Sequence, residues 1–100
     1  MARAQLNLNG RIVDSTSVPL EFATVVVKEG SLPIGTAYSN ERGDYTLVIP
    51  RAGNFTLSVY YVGFTMSESN LPLYKDTTIN VILFPSLGSN LQEVLVVNKK

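Results

Sequence analysis

Between Asp44 and Tyr61 the chain reads DYTLVIPRAGNFTLSVYY, and two apolar alternations fill it. Tyr45, Leu47 and Ile49 fall on one side of an extended chain. After Pro50–Asn54, so do Phe55, Leu57, Val59 and Tyr61. Side chains that repeat every second residue share a face only in a strand, because helix faces repeat every 3.6 residues. Each segment is therefore expected to be a strand with one buried face. The same period recurs in Leu6 and Leu8 and in Ile79, Val81 and Leu83, and Ala23–Lys28 is β-branched through its middle. A short strand is expected at Thr36–Ser39, and Leu91–Val97 is a last apolar run. Nothing longer than a turn reads as helix.

Turn-forming clusters separate these runs at Ser15–Ser17, Glu29–Ser31, Arg51–Asn54, Ser67–Pro72 and Pro85–Asn90. The most sharply specified turn is Asn40-Glu41-Arg42-Gly43. An Asn side chain at the first position of a type I turn accepts a bond from the backbone two residues on. Gly43 then supplies the left-handed backbone that a bulged hairpin needs, which sets the register of Tyr45, Leu47 and Ile49. Gly43→Val is expected to cost roughly 1–3 kcal/mol through strain. Pro50 stops the strand by withholding a ladder donor. About seven short strands with this spacing indicate one antiparallel Greek-key β-sandwich, an all-β fold, with a closed barrel as the structural rival.

One hundred residues suit one domain, which buries roughly two-thirds of its unfolded surface without a metal or disulfide staple. At 45% hydrophobic and 16% charged, the composition excludes a disordered tail. Eight basic residues balance eight acidic ones without forming blocks, so the field that nucleic-acid or polybasic membrane binding requires is missing. The longest apolar runs are far too short to span a bilayer, and no direct membrane insertion is expected. No apolar stretch of signal-peptide kind follows Met1–Gln5.

Histidine and cysteine are both absent, which removes most nucleophile–base pairs and most transition-metal sites. Asp14, Asp44 and Asp76 sit beside turns and Glu41 and Glu68 in polar clusters, where they serve as turn formers and solvated charge rather than as acid–base pairs. Neither an enzymatic activity nor a cofactor is expected. The densest aromatic segment is Val59-Tyr60-Tyr61-Val62-Gly63-Phe64. Alternation places Tyr61 in the core and Tyr60 on a half-covered face, with Gly63 allowing a bend. Tyr38, Tyr60 and Phe64 are the candidate ligand-facing aromatics, the sharper reading being a stacking platform for sugar rings.

In order along the chain, Gly10-Arg11-Ile12-Val13-Asp14, Pro19-Leu20 with Ala23–Val27, Gly35-Thr36, Gly43–Leu47 with Pro50, Leu57–Phe64 and Ile79–Leu83 resemble the carboxypeptidase regulatory-like domain. The resemblance implies a transthyretin-like (prealbumin-like, Ig-like) β-sandwich, with the Asn40–Gly43 turn inside a central hairpin. There are departures: Phe22 stands where that family commonly has glycine, and Ser39-Asn40 replaces a common Thr-Asp.

Domains of this kind commonly precede the plug of SusC-type TonB-dependent outer-membrane transporters in Bacteroidetes. The resemblance therefore implies a periplasmic accessory domain over residues 1–90. Its partners would be the following plug and barrel of the same polypeptide, and the C-terminal domain of TonB or another periplasmic protein. Residues 91–100 would be a closing strand or a TonB-box-like linker, in which Glu93, Val94, Leu95, Val96 and Val97 resemble the acidic, valine-rich box. Such a box adds an extended strand to a partner's sheet edge. Two other expectations stand beside this one: a glycan-binding or adhesive module of a surface or secreted protein, and the accessory domain of a secreted peptidase.

Overall fold

The computed structural model describes residues 5–86, and all regular structure in that range is strand. Eight strands run in the order β1 (Leu6–Asp14), β2 (Thr24–Glu29), β3 (Leu32–Tyr38), β4 (Asp44–Ile49), β5 (Gly53–Tyr60), β6 (Ser67–Leu73), β7 (Thr77–Thr78) and β8 (Val81–Leu83). One sheet has the order β3-β2-β5-β6 and is antiparallel throughout. The other places β1 between β4 on one side and β7 and β8 on the other. The inward rows of both sheets meet in one core, with Leu8, Ile12, Val25, Val27, Ile49, Val59 and Leu73 fully buried. Tyr45, Leu47 and Ile49 all lie inside, as do Phe55, Leu57 and Val59, and Tyr61 packs on the core from its edge. The expected sandwich is the observed fold.

Four local expectations are corrected. β1 pairs with β7 and β8 in parallel, so the sandwich is not wholly antiparallel. Ser67–Pro72 is not a turn but most of strand β6. This strand lies at a sheet edge, where proline's missing donor harms no ladder and polar residues can face water. The third strand starts at Leu32 rather than Thr36. Finally, the Asn40–Gly43 turn does not close a hairpin. β3 pairs with β2 whereas β4 pairs with β1, so the chain changes sheet there.

Ser39 explains the change of sheet. It is buried, and its hydroxyl donates to Leu20 O and accepts from Ala23 N. Its backbone exchanges bonds with Phe22 and Ala23. The end of β3 is thus tied to the segment entering β2, and the chain after it must leave for the other sheet. The turn chemistry itself is as expected. Asn40 Oδ1 accepts from Arg42 N at 2.9 Å and Asp44 N at 3.0 Å, and Gly43 has φ +81°.

Where β7 gives way to β8, Ile79 and Asn80 step over Gly10. Ile79 N donates to Asn9 O at 2.8 Å, and Asn80 Oδ1 takes the place of a backbone carbonyl by accepting from Arg11 N at 3.0 Å. The Tyr45 hydroxyl donates to Ile79 O at 2.7 Å. A carbonyl beside the ladder break thus finds a partner, as buried backbone groups must. Burial pushes the Tyr45 phenol up to about 12, against an ordinary value of 10.0. The folded state therefore keeps the Tyr45 proton where the unfolded chain has lost it, so this contribution is complete below pH 10 and declines as pH rises from 10 to 12. Tyr45→Phe should remove that decline. It should also cost about 1–2 kcal/mol in a urea titration at neutral pH, by leaving Ile79 O without its donor.

Asp14 holds the connection after β1. Its Oδ1 accepts from Val18 N at 3.0 Å, Thr16 Oγ1 at 2.7 Å and Thr16 N at 2.8 Å, and these bonds, that from Val18 foremost, lower its pKa.

Candidate functional site

On the outer face of the β3-β2-β5-β6 sheet, Thr24 lies opposite both Tyr38 on β3 and Tyr60 on β5. The three form one cross-strand row, with both tyrosines exposed and Thr24 between them. The next row sets Val26 opposite Thr36 and Ser58, and Ser58 opposite Glu68. Although Ser58 is on this outer face it is buried, and its hydroxyl donates to Glu68 at 3.1 Å. Lys28 pairs with the same Glu68 carboxylate at 3.4 Å. Exposed Met66 completes a shallow depression of about 350 Å³. The result is an aromatic surface beside a short polar network that neutralises its own charge.

Thr24 and Tyr60 also line a second depression, of about 710 Å³, at the adjoining end of the sandwich. There Phe22, Val62 and Phe64 join them. Phe64 packs edge-on against Tyr61, with ring centroids 5.6 Å apart and planes tilted by 59°. Val62 is 88% exposed and Phe22 69% exposed. Phe22 also has φ +67°, in the left-handed region that bulky residues avoid. Its backbone is held there by Phe22 N donating to Ser39 O at 2.9 Å. Phe22→Gly should therefore stabilise the fold by about 1 kcal/mol, since the exposed ring loses little contact and the strain is relieved. A rise in urea midpoint at unchanged slope is the expected reading.

The structure thus brings Tyr38 and Tyr60 into one row, while Phe64, half-buried, shares only the sandwich-end depression with Tyr60 and does not join Tyr38. Glu93–Val97 lie outside the described residues. Phe22, Val62 and Met66 were not singled out as site residues from sequence. For Phe22 a signal existed, a large residue at a place where the resembled family has glycine.

The depression on the opposite sheet, about 540 Å³ between Asn9, Arg11, Asp44, Thr78 and Asn80, is a weaker candidate. Its polar groups are already engaged: Arg11 with Asp44 at 3.1 Å, Thr78 with Asn9 at 2.9 Å, and Asn80 with Arg11 N. Among the described residues no cluster of three acidic side chains is placed to hold a metal ion. What the outer face can do is stack and exclude water.

A family model described as the CarboxypepD_reg-like domain matches residues 8–96. The chain belongs to this family. Carboxypeptidase regulatory-like membership accounts for the order of turns and strands along the chain. Among solved structures, the domain is similar to 5-hydroxyisourate hydrolase of Klebsiella pneumoniae, with 19% identity and TM-score 0.66 over 81% of this chain and 91% of that one. It also resembles a chain in a type II cohesin–X-dockerin complex of Acetivibrio cellulolyticus, at 16% identity and TM-score 0.66, covering 80% of this chain but only 58% of that one. The minor pilin GBS52 of Streptococcus agalactiae gives 13% identity and TM-score 0.65, over 94% of this chain and 50% of the pilin. Identities this low establish the shared fold alone. No curated protein matches the sequence.

Proposed function

We infer that this carboxypeptidase regulatory-like domain is a non-catalytic accessory module of a TonB-dependent outer-membrane nutrient transporter, placed on the periplasmic side ahead of the plug. The observation that carries this reading is the family match, which runs on to residue 96 and so takes in Glu93–Val96. An acidic residue followed by a valine-rich run is what a strand-donating box requires: β-propensity for the pairing and few charges to desolvate. Within the sandwich, the exposed Tyr38, Tyr60 and Met66 give the surface composition of a protein contact, rich in aromatics and methionine. A chain without histidine or cysteine is also poorly equipped for nucleophilic chemistry. The partners in this reading are the plug of the same polypeptide and the C-terminal domain of TonB or another periplasmic protein.

Deleting residues 1–90 from the full transporter and measuring nutrient uptake tests the proposal. Uptake should fall under at least one limiting nutrient. Unimpaired transport under every condition overturns it.

The Tyr38–Thr24–Tyr60 row supports a second reading, a glycan-binding module. Two tyrosines spaced by one intervening strand, beside the Lys28–Glu68–Ser58 network, could stack and hydrogen-bond a neutral pyranose chain. Titration calorimetry against a polysaccharide panel, comparing the native chain with a Tyr38→Ala/Tyr60→Ala variant, decides this. Heat lost in the variant supports the glycan reading, and no heat with any polysaccharide removes it.

A further inference from the structure

Strand β4 leaves one of its edges open. In an antiparallel pair, facing residues alternate between those that exchange backbone bonds and those whose backbone groups point away from each other. Asn7 N donates to Asp76 Oδ1, Asn9 O accepts from Ile79 N, and Arg11 N donates to Asn80 Oδ1, so all three turn their backbone away from β4. Their partners across the ladder, Val48, Thr46 and Asp44, therefore turn away from β1. Asp44 is satisfied within the turn: its N–H donates to Asn40 Oδ1 at 3.0 Å and its carbonyl accepts from Asn40 N at 2.9 Å. Thr46 and Val48 are exposed, and among the described residues no hydrogen bond reaches their backbone groups from that side.

An exposed edge is normally guarded by proline, charge or a bulge. In the other sheet, β3 carries Pro33 beside a shift of register, and β6 carries Glu68 and Pro72. Between Tyr45 and Ile49, β4 has none of these. Its open stretch is also bounded. Asn40 lies along the edge at Asp44, and Pro50, which has no donor, closes the far end. A long strand offered by another protein would run into both. The stretch matches its own reversed copy instead. With Thr46 opposite Val48 of a second copy, each N–H meets a C=O and no open backbone group is left over. This β-branched pair also covers Val48, which is 52% exposed. Eight basic and eight acidic residues leave each copy without net charge, so no long-range repulsion opposes the approach.

We propose that the open edge of β4 pairs antiparallel with β4 of a second copy of this chain, across a two-fold axis at Leu47. The contact is a single strand pair, smaller than the ~1,200 Å² at which standard interfaces begin, so it forms at high local concentration and dissociates on dilution. It joins the β1-bearing sheets of two copies into one continuous sheet, and it leaves the Tyr38–Thr24–Tyr60 face of each copy open. The pairing does not rest on the accessory-module reading.

For the full chain, the weight-average mass in sedimentation should rise towards twice the monomer value between about 10 μM and about 1 mM. Over the same range, amide exchange at Thr46 and Val48 should slow about tenfold, whereas Tyr45 and Leu47, already bonded to β1, should not change. A Thr46→Lys/Val48→Lys variant keeps every β1 bond and sets cations across the axis, so it should stay monomeric throughout. Tyr38→Ala/Tyr60→Ala should associate as the native chain does. Monomers at every concentration overturn the proposal. So does association that leaves Thr46 and Val48 unprotected, survives the lysines or is lost with the tyrosines. Equal protection of both amides at all concentrations overturns it as well, because the edge is then already paired within one chain. No transporter, TonB or glycan enters these measurements, so the pairing and the readings above can fail separately.

Discussion

Gly10→Ala should cost about 3 kcal/mol or more, and the variant should be largely unfolded in a urea titration where the native chain is intact. A β-carbon at residue 10 would stand 1.7 Å from Ile79 O and 2.6 Å from Ile79 C. Those atoms are backbone, and they cannot swing aside as a side-chain tip would. Ile79 is tied to Asn9 by one bond and to the Tyr45 hydroxyl by another, so relief requires pulling β7 away from β1 and breaking both. Gly10 has an ordinary negative φ, so its role is space alone. An alanine variant with an unchanged urea midpoint would contradict the close crossing.

Gly43→Val should approach the same size, about 3 kcal/mol, for two combined reasons. With φ at +81°, a β-branched residue is strained there whatever its surroundings. In addition, the new β-carbon would lie 2.4 Å from Ile12 O, because Gly43 O accepts from Ile12 N at 2.8 Å and draws the two backbones together. The turn geometry alone accounts for roughly 1–3 kcal/mol, and the crowding against β1 adds to it. Gly43→Ala, with a smaller side chain at the same φ, should fall between the native chain and the valine variant. If alanine and valine prove equally mild, the contact with Ile12 is not as close as described.

These two glycines mark the boundary of what local pattern can reveal. The turn at Asn40–Gly43 was readable because its determinants are four consecutive residues, and the inward row of Tyr45, Leu47 and Ile49 because alternation is local. The role of Gly10 was not readable, because its constraint comes from Ile79, which no neighbouring residue announces. Strand β6 escaped for another reason. Only Leu71 and Leu73 reach the core from it, while Ser67–Asn70 are polar with none of them buried, and Pro72 mimics a loop. The sheet change after Ser39 depends on a buried hydroxyl bonded to Leu20 and Ala23, a tertiary fact. At the candidate surface, Tyr38 and Tyr60 were legible as outward-facing aromatics. Their shared neighbour Thr24 needed the observed register, and the strained Phe22 needed a backbone angle.

The position of β1 has a consequence for how the molecule comes into being. Among the described strands of its sheet, none pairs with its neighbour in sequence: Arg11 meets Asp44 33 residues away and Asn80 69 residues away. The other sheet contains two neighbour hairpins, β2–β3 and β5–β6. Contacts with short loops close first, and those with long loops wait. During synthesis β1 therefore emerges before every other described strand yet acquires its partners β7 and β8 only after the rest of them. Leu8 and Ile12 must stay shielded from other chains until the seventh and eighth strands arrive.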